Sequence, residues 1–131
     1  MAEMRPEDFE TLLRFRTALR RFLHWSEEQA REAGLTPAQH QLLLAVKGHP
    51  HPAGPTIGEL AEYLALRHHS AGELVDRAEK AGLTERHQDA EDHRVVRLSL
   101  TAAGDERIRR LSEVHAEELR RLGPLLSGLS E

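Results

Sequence analysis

The residues best suited to binding chemistry lie at the start of one helical pattern, LRHHSAGELVDRAEKAGL, at residues 66–83. His68, His69 and Ser70 supply hydrogen-bond donors and acceptors on its polar face, and Gly72 lies on the same face. Glycine at an exposed helical position costs about 1 kcal/mol relative to alanine. We therefore expect this face to meet a surface that must approach the helix backbone closely.

Arginines downstream form a second set of candidate binding residues. Arg94 and Arg97 follow the charged segment DAEDH. A guanidinium group binds phosphate oxygens and nucleobase edges through parallel hydrogen bonds. Asp92 stands two residues before Arg94 and can hold either that residue or Arg86 in place, which costs some attraction to phosphate but fixes the geometry. A nucleic acid is a partner that would use both sets of residues.

Helical periodicity organises the first part of the chain. Apolar residues recur at helical spacing over residues 6–33, which predicts a long amphipathic helix that Gly34 ends. In LTPAQHQLLLAV, Thr36 and Gln39 form a capping box, so a second helix is expected as far as about Lys47. The segment GHPHPAGP contains three prolines and two glycines and predicts a loop.

Two further helical patterns predict a helix-turn-helix. Thr56 and Glu59 repeat the capping box, and a very short connection then leads into the helix that begins near His68. The residues expected to be buried on these two helices are Ile57, Leu60, Ala61, Leu64, Ala71, Leu74, Val75, Ala78 and Ala81.

Beyond Gly82 the pattern changes to two short strands and a final helix. In RVVRLSL, the residues Val96, Leu98 and Leu100 alternate with polar ones as in a half-buried strand, and together with LTERHQ they predict a β-hairpin over about residues 83–100. From the cap at Thr101, helical periodicity resumes until Gly123 and Pro124 end or kink it, and LLSGLSE adds a last turn or a tail. The apolar positions of this helix are Ile108, Leu111, His115, Leu119 and Leu122.

A helix-turn-helix followed by a hairpin is the winged-helix arrangement, so we expect a mainly α fold with a small β-hairpin wing. In this arrangement the second helix of the motif enters the major groove of DNA with its N-terminal residues near the base edges. An arginine of the wing then reaches along the backbone or into the adjacent minor groove.

The chain resembles the MarR family of bacterial transcriptional regulators over about residues 36–104. The resemblance rests on LVDRAEKAGL, on the D-x-R spacing of Asp92 and Arg94, and on LTAAG at residues 100–104. It implies a winged helix-turn-helix core with N- and C-terminal dimerisation helices at residues 6–33 and 105–131, all within one MarR-like domain over residues 1–131.

The resemblance also implies a function. Members of the MarR family are homodimers that bind pseudo-palindromic operator DNA, usually as repressors that a small ligand releases. By position, the recognition helix is about residues 68–80, and Arg94 is the wing arginine. Effector pockets of the family lie between the dimerisation and DNA-binding regions, which indicates Phe22, Trp25 and His40 as a possible pocket.

The residues themselves also favour a dimer. The first helix carries an apolar stripe that is too broad for one small partner and includes Phe9, Phe15 and Phe22. A monomer would leave this surface exposed, which soluble proteins normally avoid. A twofold dimer would bury it and place two recognition helices about 34 Å apart, one turn of DNA.

Nine residues are the predicted DNA contacts, each with a plainer alternative. Arg94 can instead form only an ion pair with Asp92, Arg77 can be a surface charge, and Arg86 can brace the wing. The start of the helix can be a solvated cap. The predicted set is His68, His69, Ser70, Gly72, Glu73, Arg77, Arg86, Arg94 and Arg97.

The charge of this region tempers the prediction. Glu73 stands where many members of the family carry a basic or polar residue, and a carboxylate accepts from cytosine N4 but repels phosphate. Residues 67–97 contain six Lys and Arg and seven Asp and Glu, a net charge of −1. We expect modest, strongly salt-dependent affinity. The same balance leaves open a protein-interaction module that has the fold with weak or no DNA affinity.

The composition of the chain argues against several other classes of protein. A chain of 131 residues suits one domain, and the absence of cysteine excludes disulfides and thiolate zinc sites and favours a reducing cytoplasm. The sequence shows neither a secretion signal nor a membrane-spanning apolar run, so export and membrane insertion are not expected. The net charge of −4 gives no bulk attraction to DNA, so binding must rest on local patches, with nine histidines as a pH-dependent supplement.

Catalytic and metal chemistry find little support in the sequence. We find no Ser/His/Asp set at a recognisable spacing, no phosphate-binding glycine loop and no H-E-x-x-H motif, so we expect a non-enzyme without a cofactor. His49 and His51 form an H-x-H pair, with further histidines at 24, 40 and 115, which leaves a histidine-based metal sensor as a narrower alternative. Nothing in the sequence shows that these residues converge, so no metal site is assigned.

Overall fold

The computed structural model describes residues 3–124 and contains five helices and one hairpin. The predicted class, mainly α with a small β-hairpin wing, is confirmed. The last seven residues, including the predicted final turn, lie outside the described range. In chain order the elements are α1 (Pro6–Glu32), α2 (Pro37–Gly48), α3 (Ile57–Leu64), α4 (His68–Lys80), β1 (Thr84–Gln88), β2 (Val96–Leu100) and α5 (Ala102–Leu122).

Local capping fixes where α2 and α3 begin. The Gln39 N–H donates to Thr36 Oγ1 at 3.1 Å, and the Thr36 N–H donates to Gln39 Oε1 at 3.0 Å. Thr56 and Glu59 repeat both bonds at 3.1 and 3.0 Å. Each box satisfies two backbone groups that a helix start leaves unpaired, so both predicted boxes are confirmed.

The turn between α3 and α4 is three residues long and contains a left-handed residue. Ala65 caps α3 with φ of 53°, and the Leu66 N–H returns to the Ala61 carbonyl at 2.9 Å. Arg67 is extended and begins α4 without a side-chain cap. This tight reversal produces the predicted helix-turn-helix.

Two hydrophobic clusters hold the fold, and α2 contributes to both. Leu42 and Val46 pack with the helix-turn-helix, whereas Leu43 packs with α1 and α5. The first cluster comprises Leu42, Val46, Leu60, Leu74, Val75, Ala78 and Leu98, and the second comprises Ala30, Leu35, Leu43, Leu83, Ile108 and Leu111. Helix α2 therefore connects the winged-helix part to the terminal helices.

The hairpin is antiparallel, with Thr84 paired to Leu100 and Gln88 to Val96. Two sequence-based expectations of burial are wrong. Val96 is exposed because it lies at the loop end of the hairpin, away from the core, while Leu98 is fully buried as predicted. Ala81 is exposed because it is the C-cap of α4, beyond the face that packs on the core.

A close approach joins the start of α5 to the start of β1. The Thr101 N–H donates to the Leu83 carbonyl at 3.0 Å, and the Thr101 side chain caps α5 by accepting from Gly104 N at 3.1 Å. A Cβ placed on Gly104 would stand 2.1 Å from the Leu83 carbonyl oxygen. Only glycine allows α5 and the entry to the wing to come so close.

Candidate nucleic-acid interface

The start of α4 presents the predicted recognition residues to solvent. His68 and His69 are exposed and Ser70 is half-buried. The side chain of Arg67 accepts no hydrogen bond from the first N–H groups of α4, and such groups suit a phosphate oxygen. A Cβ placed on Gly72 would meet nothing within 4 Å among the described residues, so no packing in the chain itself explains the glycine.

Glu73 organises the exposed face of α4. Its carboxylate lies 3.0 Å from His69 Nε2 and 3.9 Å from a terminal nitrogen of Arg77. All three groups are mainly solvent-exposed. The carboxylate therefore sits between two potential cations, which reduces the repulsion that a lone glutamate would exert on DNA.

Arg94 extends from the wing tip, and 90% of its side chain is exposed. Its Nε and Nη2 donate to the two carboxylate oxygens of Asp92, each at 3.1 Å, so the predicted pairing is confirmed. The bond raises the pKa of Arg94 and lowers that of Asp92. The guanidinium is thus oriented by one carboxylate and still open to a further anion.

Arg86 and Arg97, two other predicted contacts, are held within the chain. Arg86 donates to Asp76 at 2.6 Å and to Glu79 at 2.8 Å, joining β1 to α4. The idea that Asp92 holds Arg86 is therefore wrong, because Asp92 pairs with Arg94. Arg97 donates to Asp89 at 2.6 Å and to the Gly54 carbonyl at 2.9 Å. DNA contact by either arginine stays a prediction. The hydrogen bonds of both arginines favour a role in bracing the wing.

The three predicted effector-pocket residues lie near one another, with a fourth ring between them. Ring centroids are 5.8 Å apart for Phe22 and Trp25, 4.8 Å for Trp25 and His115, and 4.7 Å for His40 and His115. His115, which sequence reasoning placed only on the apolar stripe of α5, is the ring that joins them. The sequence signal for this role was that His115 occupies an apolar position in the helical period of α5.

Hydrogen bonds set the tautomer of His115. Nδ1 lies 2.6 Å from the Leu111 carbonyl, which can only accept, so Nδ1 carries a proton, and Nε2 lies 2.7 Å from Ser26 Oγ. His40 is 3% exposed. Burial, and secondarily His115, lower the pKa of His40, which favours a neutral imidazole there.

Two cavities flank this ring cluster. One of 350 Å³ lies between α1 and α5 and is lined by Arg21, Phe22 and Trp25 among others. A second of 190 Å³ lies between α1 and α2, beside Ser26 and His40. The predicted pocket residues are therefore divided between two neighbouring cavities.

The H-x-H pair does not gather ligands. His49 Nδ1 lies 2.8 Å from the Tyr63 hydroxyl and His49 Nε2 lies 3.3 Å from Glu59, which occupies both ring nitrogens. Over residues 3–124, no group of three or more His, Cys, Asp or Glu side chains is placed to hold a metal ion. The metal-sensor alternative gains no support from the described part of the chain. Nor does any helix in that part combine the length and apolar character needed to cross a membrane.

Comparison with known proteins agrees with the resemblance seen in the sequence. The model of the MarR family matches residues 33–95. The HTH-type transcriptional repressor MdtR of Bacillus subtilis is 33% identical over 78 residues, which are 60% of this chain and 48% of that protein. The chain thus spans about half the length of this curated relative.

Solved structures show the same fold. AbsC, a MarR family transcriptional regulator from Streptomyces coelicolor, matches with a TM-score of 0.72 at 20% identity, covering 96% of this chain and 84% of that one. MepR of Staphylococcus aureus in complex with DNA matches with a TM-score of 0.71 at 21% identity, covering 89% of this chain and 81% of that one. The predicted winged-helix fold is confirmed.

Proposed function

We propose that the protein is a sequence-specific DNA-binding transcriptional regulator of the MarR family, whose model matches residues 33–95. One observation carries the proposal. The uncapped start of α4, with His68 and His69, and the oriented guanidinium of Arg94 are exposed on the two elements that a winged helix applies to DNA. The solved complex of MepR with DNA supports the proposal by its fold.

Helix α4 contacts the bases, and the wing contacts the DNA beside them. The side chains of His68, His69, Ser70 and Glu73 meet base edges, Gly72 lets the backbone approach, and Arg77 contacts phosphate. Arg94 enters the flanking minor groove or follows the backbone. With a net charge of −1 over residues 67–97, binding is modest in affinity and falls steeply with salt.

The regulator acts as a homodimer on a pseudo-palindromic operator. Helices α1 and α5 expose large apolar side chains in the described chain, among them Phe9 at 60%, Leu13 at 68% and Leu119 at 52%. An apolar groove of 140 Å³ also opens between the two helices, beside Phe15, Leu19 and Leu122. Burying these surfaces against a second copy favours association.

The regulator represses transcription and responds to a small ligand. The repressor role is suggested by the related transcriptional repressor MdtR. The ligand site is suggested by the cavities beside Phe22, Trp25 and His40, which lie where α1, α2 and α5 meet. A ligand there is placed to alter the packing of α2 and, through it, the spacing of the two recognition helices.

Selection of bound sequences from random DNA tests the proposal. A twofold-symmetric consensus with half-site centres about 34 Å apart is expected. Arg94→Ala should weaken binding to that consensus about tenfold or more. Arg110→Ala is the matched control, because Arg110 is an exposed arginine on α5, paired with Glu106, and its loss removes the same charge. No enriched sequence, together with a stable protein partner, would favour the interaction module instead.

A further inference from the structure

Arg97 connects the wing to the first helix of the helix-turn-helix. Only 15% of its side chain is exposed. Nε donates to Asp89 Oδ1 at 2.6 Å, and Nη1 donates to the Gly54 carbonyl at 2.9 Å and lies 3.8 Å from Glu59 Oε1. One guanidinium thus joins the wing loop, the loop before α3, and α3 itself.

The backbone beside Arg97 also contacts the segment before α3. The Leu98 N–H donates to the Pro55 carbonyl at 2.9 Å, and Thr56 forms an isolated bridge with Arg97. At Gly54, where φ is +91°, a Cβ would stand 1.8 Å from the Leu98 carbonyl oxygen. Strand β2 therefore lies directly on the segment that precedes α3, and the guanidinium of Arg97 adds the side-chain connection.

From Arg97 the connection continues to the tip of the wing. Asp89 Oδ2 accepts the backbone N–H groups of Glu91 and Asp92, each at 3.0 Å. Asp92 in turn holds the guanidinium of Arg94. The hydrogen bond from Arg97 is the largest cause that lowers the pKa of Asp89, to about 2, so this carboxylate stays ionised far into acid.

We infer that Arg97 is a positioning residue, which does not touch DNA but fixes the orientation in which Arg94 meets it. Nε and Nη1 of Arg97 donate to two acceptors within the chain, the Glu59 carboxylate lies nearby, and only 15% of the side chain is exposed, so the guanidinium offers little surface to a phosphate. Arg94 has the opposite character, since it is 90% exposed and its only described partner is Asp92. This role rests on the proposed DNA-binding function.

Hydrogen exchange on the free protein tests the connection without DNA. In Arg97→Ala, Asp89 loses its anchor, and the amides of Glu91 and Asp92 should exchange about tenfold faster than in the unchanged protein. Arg110→Ala, which removes an arginine paired on α5, should leave these amides unaffected. Unchanged exchange at the wing tip in Arg97→Ala overturns the inference, whether or not the protein binds DNA.

A double-mutant cycle on the selected operator tests the consequence for binding. If Arg97 acts through Arg94, each single alanine variant loses affinity, and the double variant binds no worse than Arg94→Ala. Within the Arg94→Ala background, removal of Arg97 should also leave the salt dependence unchanged, because no phosphate contact is lost. Losses that multiply, or a shallower salt dependence, identify Arg97 as a DNA contact and overturn the inference.

Conservative variants keep the cycle informative if Arg97→Ala does not fold. Arg97→Lys reaches one of the two hydrogen-bond acceptors and should restore part of the affinity. Asp89→Asn keeps an acceptor for the wing-tip amides but loses the ionic bond to Arg97. Both variants should show the same dependence on Arg94. If the unchanged protein selects no DNA, the proposed function fails, and the exchange measurement alone decides whether Arg97 holds the wing.

Discussion

Gly72 is the residue at which stability and the proposed binding make opposite demands. It lies within α4, its φ is not in the left-handed region, and a Cβ there would meet nothing within 4 Å among the described residues. The fold therefore does not need glycine at this position. The proposed close approach of a DNA duplex to α4 would explain it.

Gly72→Ala should raise the free energy of unfolding by up to about 1 kcal/mol and weaken operator binding. The gain follows from helix propensity, and the loss follows from a methyl group between the backbone and DNA. Thermal unfolding and fluorescence anisotropy measure the two effects. Gly48→Ala is the control, because Gly48 ends α2 and also has open space at its Cβ. Equal operator affinity in Gly72→Ala would contradict close approach at this position.

His40 makes the fold sensitive to acid. Its folded-state pKa is lowered, so the unfolded chain binds this proton near pH 6.5 while the folded chain resists it. Below that pH the unfolded state holds more protons, and stability falls as pH falls. His40→Gln should flatten the decrease in the midpoint of urea unfolding between about pH 6.5 and pH 5. Replacement of the exposed loop residue His51 by glutamine is the comparison, and an equal slope in both variants would argue against His40.

Structural features formed by residues close together in the sequence could be predicted from it. The capping boxes at Thr36 and Thr56 each use residues three apart, and the structure contains both. The partners of Arg97 could not be predicted, since Gly54 is 43 residues away and becomes an acceptor only after β2 lies on the loop before α3. Ser26 and His115, 89 residues apart, meet for the same reason. Hydrophobic periodicity predicts the helices, whereas the partners of buried polar side chains depend on tertiary packing.

The contact between α5 and the entry to the wing leaves no room for a side chain at Gly104. Gly104→Ala places a methyl group 2.1 Å from the Leu83 carbonyl oxygen, a backbone atom that cannot move without shifting β1. Such overpacking should cost about 1–3 kcal/mol of stability in urea unfolding. Gly123→Ala, at the C-cap of the same helix with open space at its Cβ, should change stability little. Similar stability of the two variants would show that the contact relaxes without cost.

In the proposed regulator, α2 is the element through which a change at α1 and α5 would reach the DNA-binding face. Leu43 packs on the terminal helices, and Leu42 and Val46 pack on α3 and α4. Close-packed interiors have low compressibility and transmit strain. Displacement of α2 by a ligand beside His40 would thus reposition α4. In a dimer, that displacement changes the distance between two recognition helices, on which operator binding depends.

The proposed dimer depends on the apolar surface of α1 and α5. The double variant Leu13→Glu/Leu119→Glu introduces charges where 68% and 52% of these residues are exposed, so the monomer fold should tolerate them. Burial of these charges against a second copy is costly, and the variant should therefore sediment as a monomer at concentrations where the unchanged protein is a dimer. It should also lose preference for the symmetric operator over a single half-site. Leu44→Glu, at an exposed position on α2, is the control. An unchanged protein that is monomeric at tens of micromolar, or a variant that stays dimeric, would contradict the proposed interface.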